Sequence, residues 1–477
     1  MTLSSWEQKA QFKQAEAAAK IPAEWRLSAE ILKQVSTNDD SVLHIPRTCG
    51  LLTTEELAIT ENYDATALRD KLAGGELTSV QVTTAFSKRA AIAQQVTCCL
   101  TETMFPMALA RAKQLDDHLA TTGKPMGPLH GLPISLKETF NVKGIPSSLG
   151  FISFLERGPV KTNSALVEIL LAAGAVLYVK TNVPQTMMTA DSHNNVFGRV
   201  LNPHRRNLTA GGSSGGEGAL LAMRGSVLGI GTDIAGSIRI PAICCGTFGF
   251  KPTVGRVPYG GQTSAASPGM TGIAPVAGPL CHSARDAELL LRVVFNGHPE
   301  DLDDMATGIP WLEQVPKARL KIGVLPEDPR VPLHPNMQRT LSIAVRKLAA
   351  AEHTIVDLSG KIPSLGDATD LSFRFFGIDP HKTQLKHIAN GEEPHIPSLK
   401  STYDLEGKDP APTLEELFEI NVKRAEVTAK MRQVYLDNQL DVIIAPGYQS
   451  CAVPHDTYGR PFYTVLANLV DVCFSPS

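Results

Sequence analysis

The sequence predicts an α/β protein with a mixed, mainly parallel central sheet and helices on both of its faces. Residues 134–136, 164–173 and 175–179 read as strand, helix and strand, and residues 320–325, 337–351 and 354–358 repeat that order. This is the chain path of parallel strands joined by crossover helices. The segment at 175–179, AVLYV, is apolar throughout rather than alternating, as a strand covered on both faces requires. Hydrophobic residues make up 43% of the 477 positions and charged residues 19%, which suits a large core and not a disordered chain.

Taken in order, residues 5–29 are rich in Ala, Gln, Glu and Lys and read as a helical arm broken at Ile21-Pro22. Residues 27–35 continue helically, and Thr53 and Thr54 ahead of Glu55 and Glu56 form a helix-start signal. This arm, residues 1–75, is expected to dock on the core or on a second subunit of a homodimer. Residues 76–477 read as one domain. Thr78 starts an amphipathic helix at 79–92, and 107–119 form another with a small-residue face. A Gly- and Pro-punctuated stretch at 127–133 leads into strand 134–136, which runs directly into Lys137. Residues 259–272, rich in Gly, Ser and Pro, form a pocket rim, and 283–294 are helical. Residues 360–412 read as irregular and polar, with a helical part near 370–390. A long helix at 414–438 and a buried strand at 440–445 follow.

The net charge is −3, from 45 basic and 48 acidic residues, with no basic cluster, so no nucleic-acid partner is expected. Eight cysteines include two adjacent pairs and no CxxC spacing, which points to reduced thiols and no metal. The start lacks the basic and apolar pattern of a signal peptide, and Glu168 and Gly174 interrupt the apolar run at 165–179. A cytoplasmic protein with no membrane span is the expectation. The glycine loops match no nucleotide motif, because Ile234 stands where G-x-G-x-x-G needs its last glycine. No cofactor is expected.

The chemistry concentrates in residues 209–239, TAGGSSGGEGALLAMRGSVLGIGTDIAGSIR. Two clusters of small residues, GGSSGG at 211–216 and GTDIAGS at 231–237, carry Ser213, Ser214 and Ser237. The successive N–H groups of Ile234, Ala235 and Gly236 have the composition of an oxyanion nest beside Ser237, which indicates acyl transfer. GGSSG also fits the G-x-S-x-G elbow of Ser-His-Asp hydrolases, but that elbow needs a buried strand before it. Residues 203–209, PHRRNLT, are polar instead.

These residues resemble the amidase signature family, whose defining block is a GGSSGG loop, a small-residue helix and a GTDxGGSxRxP turn. Here the block stands at residues 211–241, with Ala235 in a glycine place, and the similarity runs from about residue 76 to 468. The resemblance implies the amidase-signature fold and hydrolysis of a carboxylic acid amide to acid plus ammonia or amine. Acetamidase-like and fatty-acid-amide-hydrolase-like members look most similar. It nominates Lys137 as base, Ser213 as relay and Ser237 as nucleophile, with the amides of Ile234, Ala235, Gly236 and Ser237 around the oxyanion and a cis peptide at Ser213. Neighbours Ile134, Leu136 and Phe140 suit a neutral Lys137. Met187 matches a family pocket position or is a core methionine. Ser214, Thr232 and Arg239 support the site, and Asp233 either donates a proton or holds the turn. Family members continue past this chain's last residues, so an incomplete sheet edge and a catalytically impaired homologue stand as the alternative. Loops at 146–157 and 259–272 set the substrate, which the sequence does not name.

Overall fold

The computed structural model describes residues 4–36, 39–406 and 412–473. Its strands are β1 (Leu100–Thr103), β2 (Pro133–Lys137), β3 (Val176–Thr181), β4 (His193–Asn194), β5 (Gly198–Arg199), β6 (Leu228–Asp233), β7 (Phe248–Gly249), β8 (Val276–Cys281), β9 (Lys321–Val324), β10 (Thr354–Asp357) and β11 (Val442–Ile444). Six form the main sheet in the order β1-β3-β2-β6-β8-β7. The middle strands β3, β2 and β6 are parallel, while β1, β8 and β7 add antiparallel edges. Every residue of β2, β3 and β6 is buried, as expected for strands with helices on both faces. Register places Lys137 beside Thr181 on β3, and Ser135 beside Gly229 on β6.

Local capping chemistry sets several helix starts. Thr53, Thr78 and Thr413 each accept the N–H three residues on, and Glu56, Gln81 and Glu416 return the bond. Each such cap is worth about 1 kcal/mol. The N-terminal helices lie on this chain's own core, with Ile21, Trp25, Leu27 and Val35 buried in the same cluster as β2 and β3.

Two expectations are corrected and a third is refined. Residues 320–325, 354–358 and 440–445 do not extend the main sheet; they form a separate parallel sheet ordered β10-β9-β11. A second core lies beside it, containing Leu325, Phe375, Ile420 and Leu469. Strand β11 is an edge rather than buried, and Val442 is 42% exposed; its apolar run covers one face of a small sheet. The helical part expected near 370–390 is present as two helices, Leu365–Phe376 and Thr383–Asn390, the first of which starts before residue 370. Ser364 caps the first, and Leu365, Ala368, Leu371 and Phe375 turn its apolar stripe into the second core. Gly366, Asp367 and Asp370 are poor helix formers, so local propensity hid where this helix begins, and burial stabilises it.

Candidate active site

The parallel strands β2 and β6 deliver the polar groups of the site from their C-terminal ends. Lys137, the last residue of β2, is fully buried. Its ammonium nitrogen lies 2.7 Å from Ser213 Oγ and 2.7 Å from Thr232 Oγ1 on β6. Burial lowers its pKa from 10.5 to about 7, and Asp233 and Glu217 oppose that shift. An amine in this setting loses its proton near neutrality.

The serine loops are packed backbone to backbone. The Gly212–Ser213 peptide is cis, as the family resemblance implies. A Cβ at Gly212 would run into the carbonyl of Thr189, and one at Gly211 would come 2.7 Å from Pro241 Cα. Ser214 spans the chain crossing, its hydroxyl 3.3 Å from both the N and the O of Thr232. Its own N–H donates to the carbonyl of Ser237 at 3.2 Å. The two serine segments are thereby joined, although among the described residues no hydrogen bond links the hydroxyls of Ser213 and Ser237.

Ser237 is 8% exposed and faces a cavity of about 30 Å³ lined also by Met187, Gly212, Ile234, Ala235 and Ile240. Met187 therefore reaches the cavity while packing on the cluster around Leu149 and Phe151. Among the described residues, no histidine lines this space. His204, the histidine nearest in sequence to the first serine cluster, instead contacts the carbonyl of Cys245 at 3.0 Å. Among the described residues no strand leads directly into Ser213; between β5 and Ser213 there are only isolated bridges, such as that of Leu201 with Thr209, so the elbow of a Ser-His-Asp hydrolase is not built here.

Asp233 organises the turn that carries Ser237. Its carboxylate accepts from Gly236 N at 2.8 Å, Ile238 N at 3.1 Å and Asn468 Nδ2 at 2.9 Å, besides Arg239. Burial alone would raise its pKa, but the charge and hydrogen bonds of Arg239, with Asn468, hold it well below the usual carboxylate range. A carboxylate so firmly ionised has no proton to donate. The N–H of Gly236 is committed to this carboxylate, whereas those of Ile234, Ala235 and Ser237 donate to no protein group among the described residues.

Sequence reasoning missed the outer supports of the turn. Thr464 Oγ1 donates to the carbonyl of Ala235 at 2.6 Å, and Asn468 bonds both Asp233 and Arg239. Both residues lie more than two hundred positions downstream in a short helical segment, Val465–Leu469 and its preceding cap residue, with no motif of their own.

The family model described as Amidase matches residues 81–476. The chain belongs to the amidase family. It is 41% identical over 470 residues to an amidase of Gibberella moniliformis, covering 98% of this chain and 88% of the relative. Against an acetamidase of Emericella nidulans the identity is 39% over 481 residues, covering 98% and 85%. A solved fatty acid amide hydrolase superposes with a TM-score of 0.94 at 31% identity, covering 99% of this chain and 83% of that one. A bacterial aryl acylamidase shares the amidase fold at a TM-score of 0.72 and 23% identity. Among the described residues, no helix is long and apolar enough to cross a membrane.

Proposed function

We propose that this amidase family member hydrolyses a small carboxylic acid amide to the acid and ammonia or an amine, through an acyl-enzyme formed on Ser237. The observation that carries the reading is the buried Lys137 Nζ, 2.7 Å from Ser213 Oγ in the loop packed against the Ser237 turn. Neutral Lys137 takes the proton of Ser213 as Ser213 takes that of Ser237, and Ser237 Oγ attacks the amide carbon. The N–H groups of Ile234, Ala235 and Ser237 face the developing oxyanion, while Gly236 serves by anchoring the turn to Asp233. Collapse breaks the C–N bond, and the proton returns through Ser213 to the leaving nitrogen. Water then repeats the sequence on the ester, releasing the acid and restoring Ser237.

A small acyl group is supported by the space at Ser237, about 30 Å³. It shares Phe373, Phe376 and Thr402 as walls with a neighbouring chamber of about 840 Å³. The likeness to an acetamidase agrees with this size. The purified chain is tested by ammonia release from a panel of short aliphatic, aryl and long-chain amides. Turnover of acetamide or propionamide that Ser237→Ala abolishes is expected. Turnover undiminished by Ser237→Ala would remove Ser237 from the reaction.

A further inference from the structure

A second ionisable group, unused in the mechanism above, is buried on the same side of the sheet as Lys137. Glu217, in the first turn of helix Gly215–Ala222, is fully buried. One carboxylate oxygen accepts from Ser135 Oγ at 2.6 Å and the other from Thr181 Oγ1 at 2.9 Å. Ser135 stands two residues before Lys137 on β2, so their side chains leave the same face. Thr181 pairs with Lys137 across the β2–β3 ladder. The helix presses the carboxylate onto β6 so closely that a Cβ at Gly229 would overlap it. The hydroxyls of Ser135 on β2 and Thr181 on β3 thus hold the acid on the amine's side of the sheet.

The other charged groups around this pair are engaged elsewhere. Asp233, on β6, is held by Arg239. Lys180, on β3, meets Glu138 at 3.4 Å and the carbonyl of Pro146 at 2.9 Å. Arg89, from the helix Ser79–Thr97, bonds the carbonyl of Met223 together with Thr60 and Glu61. His282, following β8, contacts the carbonyl of Ser226 at 3.2 Å and is kept neutral at working pH, its pKa lowered by burial to about 4. The thiols of Cys99, Cys245 and Cys281 and the phenol of Tyr178 are pushed upward by burial and stay protonated. Among the described residues, neither Lys137 nor Glu217 has an ion-pair partner within contact distance.

Lys137 and Glu217 are buried groups that can carry opposite charge, each held here by hydroxyls, so an ionised Glu217 favours the ammonium and adds to the larger pull of Asp233, which Arg239 already partners. We propose that Glu217 is a positioning residue for the reaction, a second counter-charge that shifts upward the pH at which Lys137 gives up its proton. This rests on Lys137 acting as the base. Burial raises Glu217 to about 7, against the hydrogen bonds of Ser135 and Thr181 and the charge of Lys137, so acid and amine exchange charge in the same pH range. An ionised Glu217 makes the ammonium harder to discharge.

The test is the pH profile of kcat/KM for ammonia release from acetamide, or from the panel amide turned over fastest. It compares wild type, Glu217→Gln, Ser135→Ala and Lys137→Ala. Glu217→Gln keeps the shape and removes the charge, so its acidic limb moves about one unit to lower pH while the alkaline plateau and KM stay put. Ser135→Ala withdraws a hydrogen bond from the carboxylate, favours its neutral form and moves the limb the same way by less. A merely structural role would lower the plateau and leave the limb in place. A limb lost in Lys137→Ala but unmoved in Glu217→Gln, or in Ser135→Ala if the first variant does not fold, overturns this inference alone. A limb that survives in Lys137→Ala overturns the base assignment and this inference together.

Discussion

Arg239 grips Asp233 through two contacts, Nε to Oδ2 at 3.0 Å and Nη2 to Oδ1 at 2.9 Å, with neither side chain exposed to solvent. The same guanidinium donates to the carbonyl of Thr464 at 2.8 Å and to Asn468 Oδ1 at 2.6 Å. The pair therefore ties the Ser237 turn to the far end of the chain. Replacing Arg239 by Met strands a buried carboxylate, which costs about 3–5 kcal/mol. Denaturant unfolding of Arg239→Met should show a loss of that size; a loss under about 1 kcal/mol, the scale of an exposed ion pair, would refute the central place given to this pair.

Asn468→Ala removes one donor to Asp233 and one acceptor from Arg239 but leaves the ion pair in place. The expected cost is about 1–3 kcal/mol, with kcat lowered more than KM is raised, because the turn that carries Ser237 loses its fixed geometry. Steady-state kinetics beside a thermal melt checks both parts.

Gly236 occupies φ +133°, and a Cβ there would run into Thr464 Oγ1. Gly236→Ala should cost about 1–3 kcal/mol in backbone strain and displace the neighbouring donors. Loss of turnover with a lowered melting temperature is expected, and wild-type activity would show that the turn tolerates the shift.

Lys137 couples activity to stability through one proton. Activity should rise through pH about 7 as the amine becomes neutral, and Lys137→Ala should lose about 10²–10⁴-fold at the plateau. Between about 7 and 10.5 the folded chain has released a proton that the unfolded chain still holds, so through this residue stability rises with pH across that window. Lys137→Met abolishes this dependence. Its stability relative to wild type should be greatest at and below pH 7 and decline toward pH 10.5, as read from unfolding curves at several pH values.

Phe373 and Phe376 meet edge to face, ring centres 5.5 Å apart, in the wall between the space at Ser237 and the larger chamber. Phe376→Ala should join the two. The ratio of kcat/KM for a six-carbon amide over acetamide should then rise at least about tenfold, the scale set by a few methylenes in an apolar pocket. An unchanged ratio would place the size limit elsewhere.

Residues whose role depends on immediate neighbours were legible before any fold was known. Thr53 and Thr78 cap the helices their spacing announces, and the long helix Leu414–Asn438 begins and ends where its composition changes. The helix Leu365–Phe376 was legible only as a helical part near 370–390 and not in its bounds, because its first turn is stabilised by an apolar stripe buried against a distant segment. The separation of β9, β10 and β11 into a second sheet was hidden for the same reason: a strand's partners are chosen by packing, not by its own residues.

By itself, the sequence determined the amide-hydrolase family, through the glycine and serine clusters at 211–216 and 231–237, and the central parallel strands, through continuous apolar runs. These are short-range properties, written in neighbouring residues. Only the tertiary structure decided that Lys137 is solvated by Ser213 and Thr232, that Asp233 is ionised by Arg239 and Asn468, and that Glu217 lies on the amine's side of the sheet. Charge state and proton affinity depend on burial and on groups tens to hundreds of residues away, which spacing along a chain does not encode.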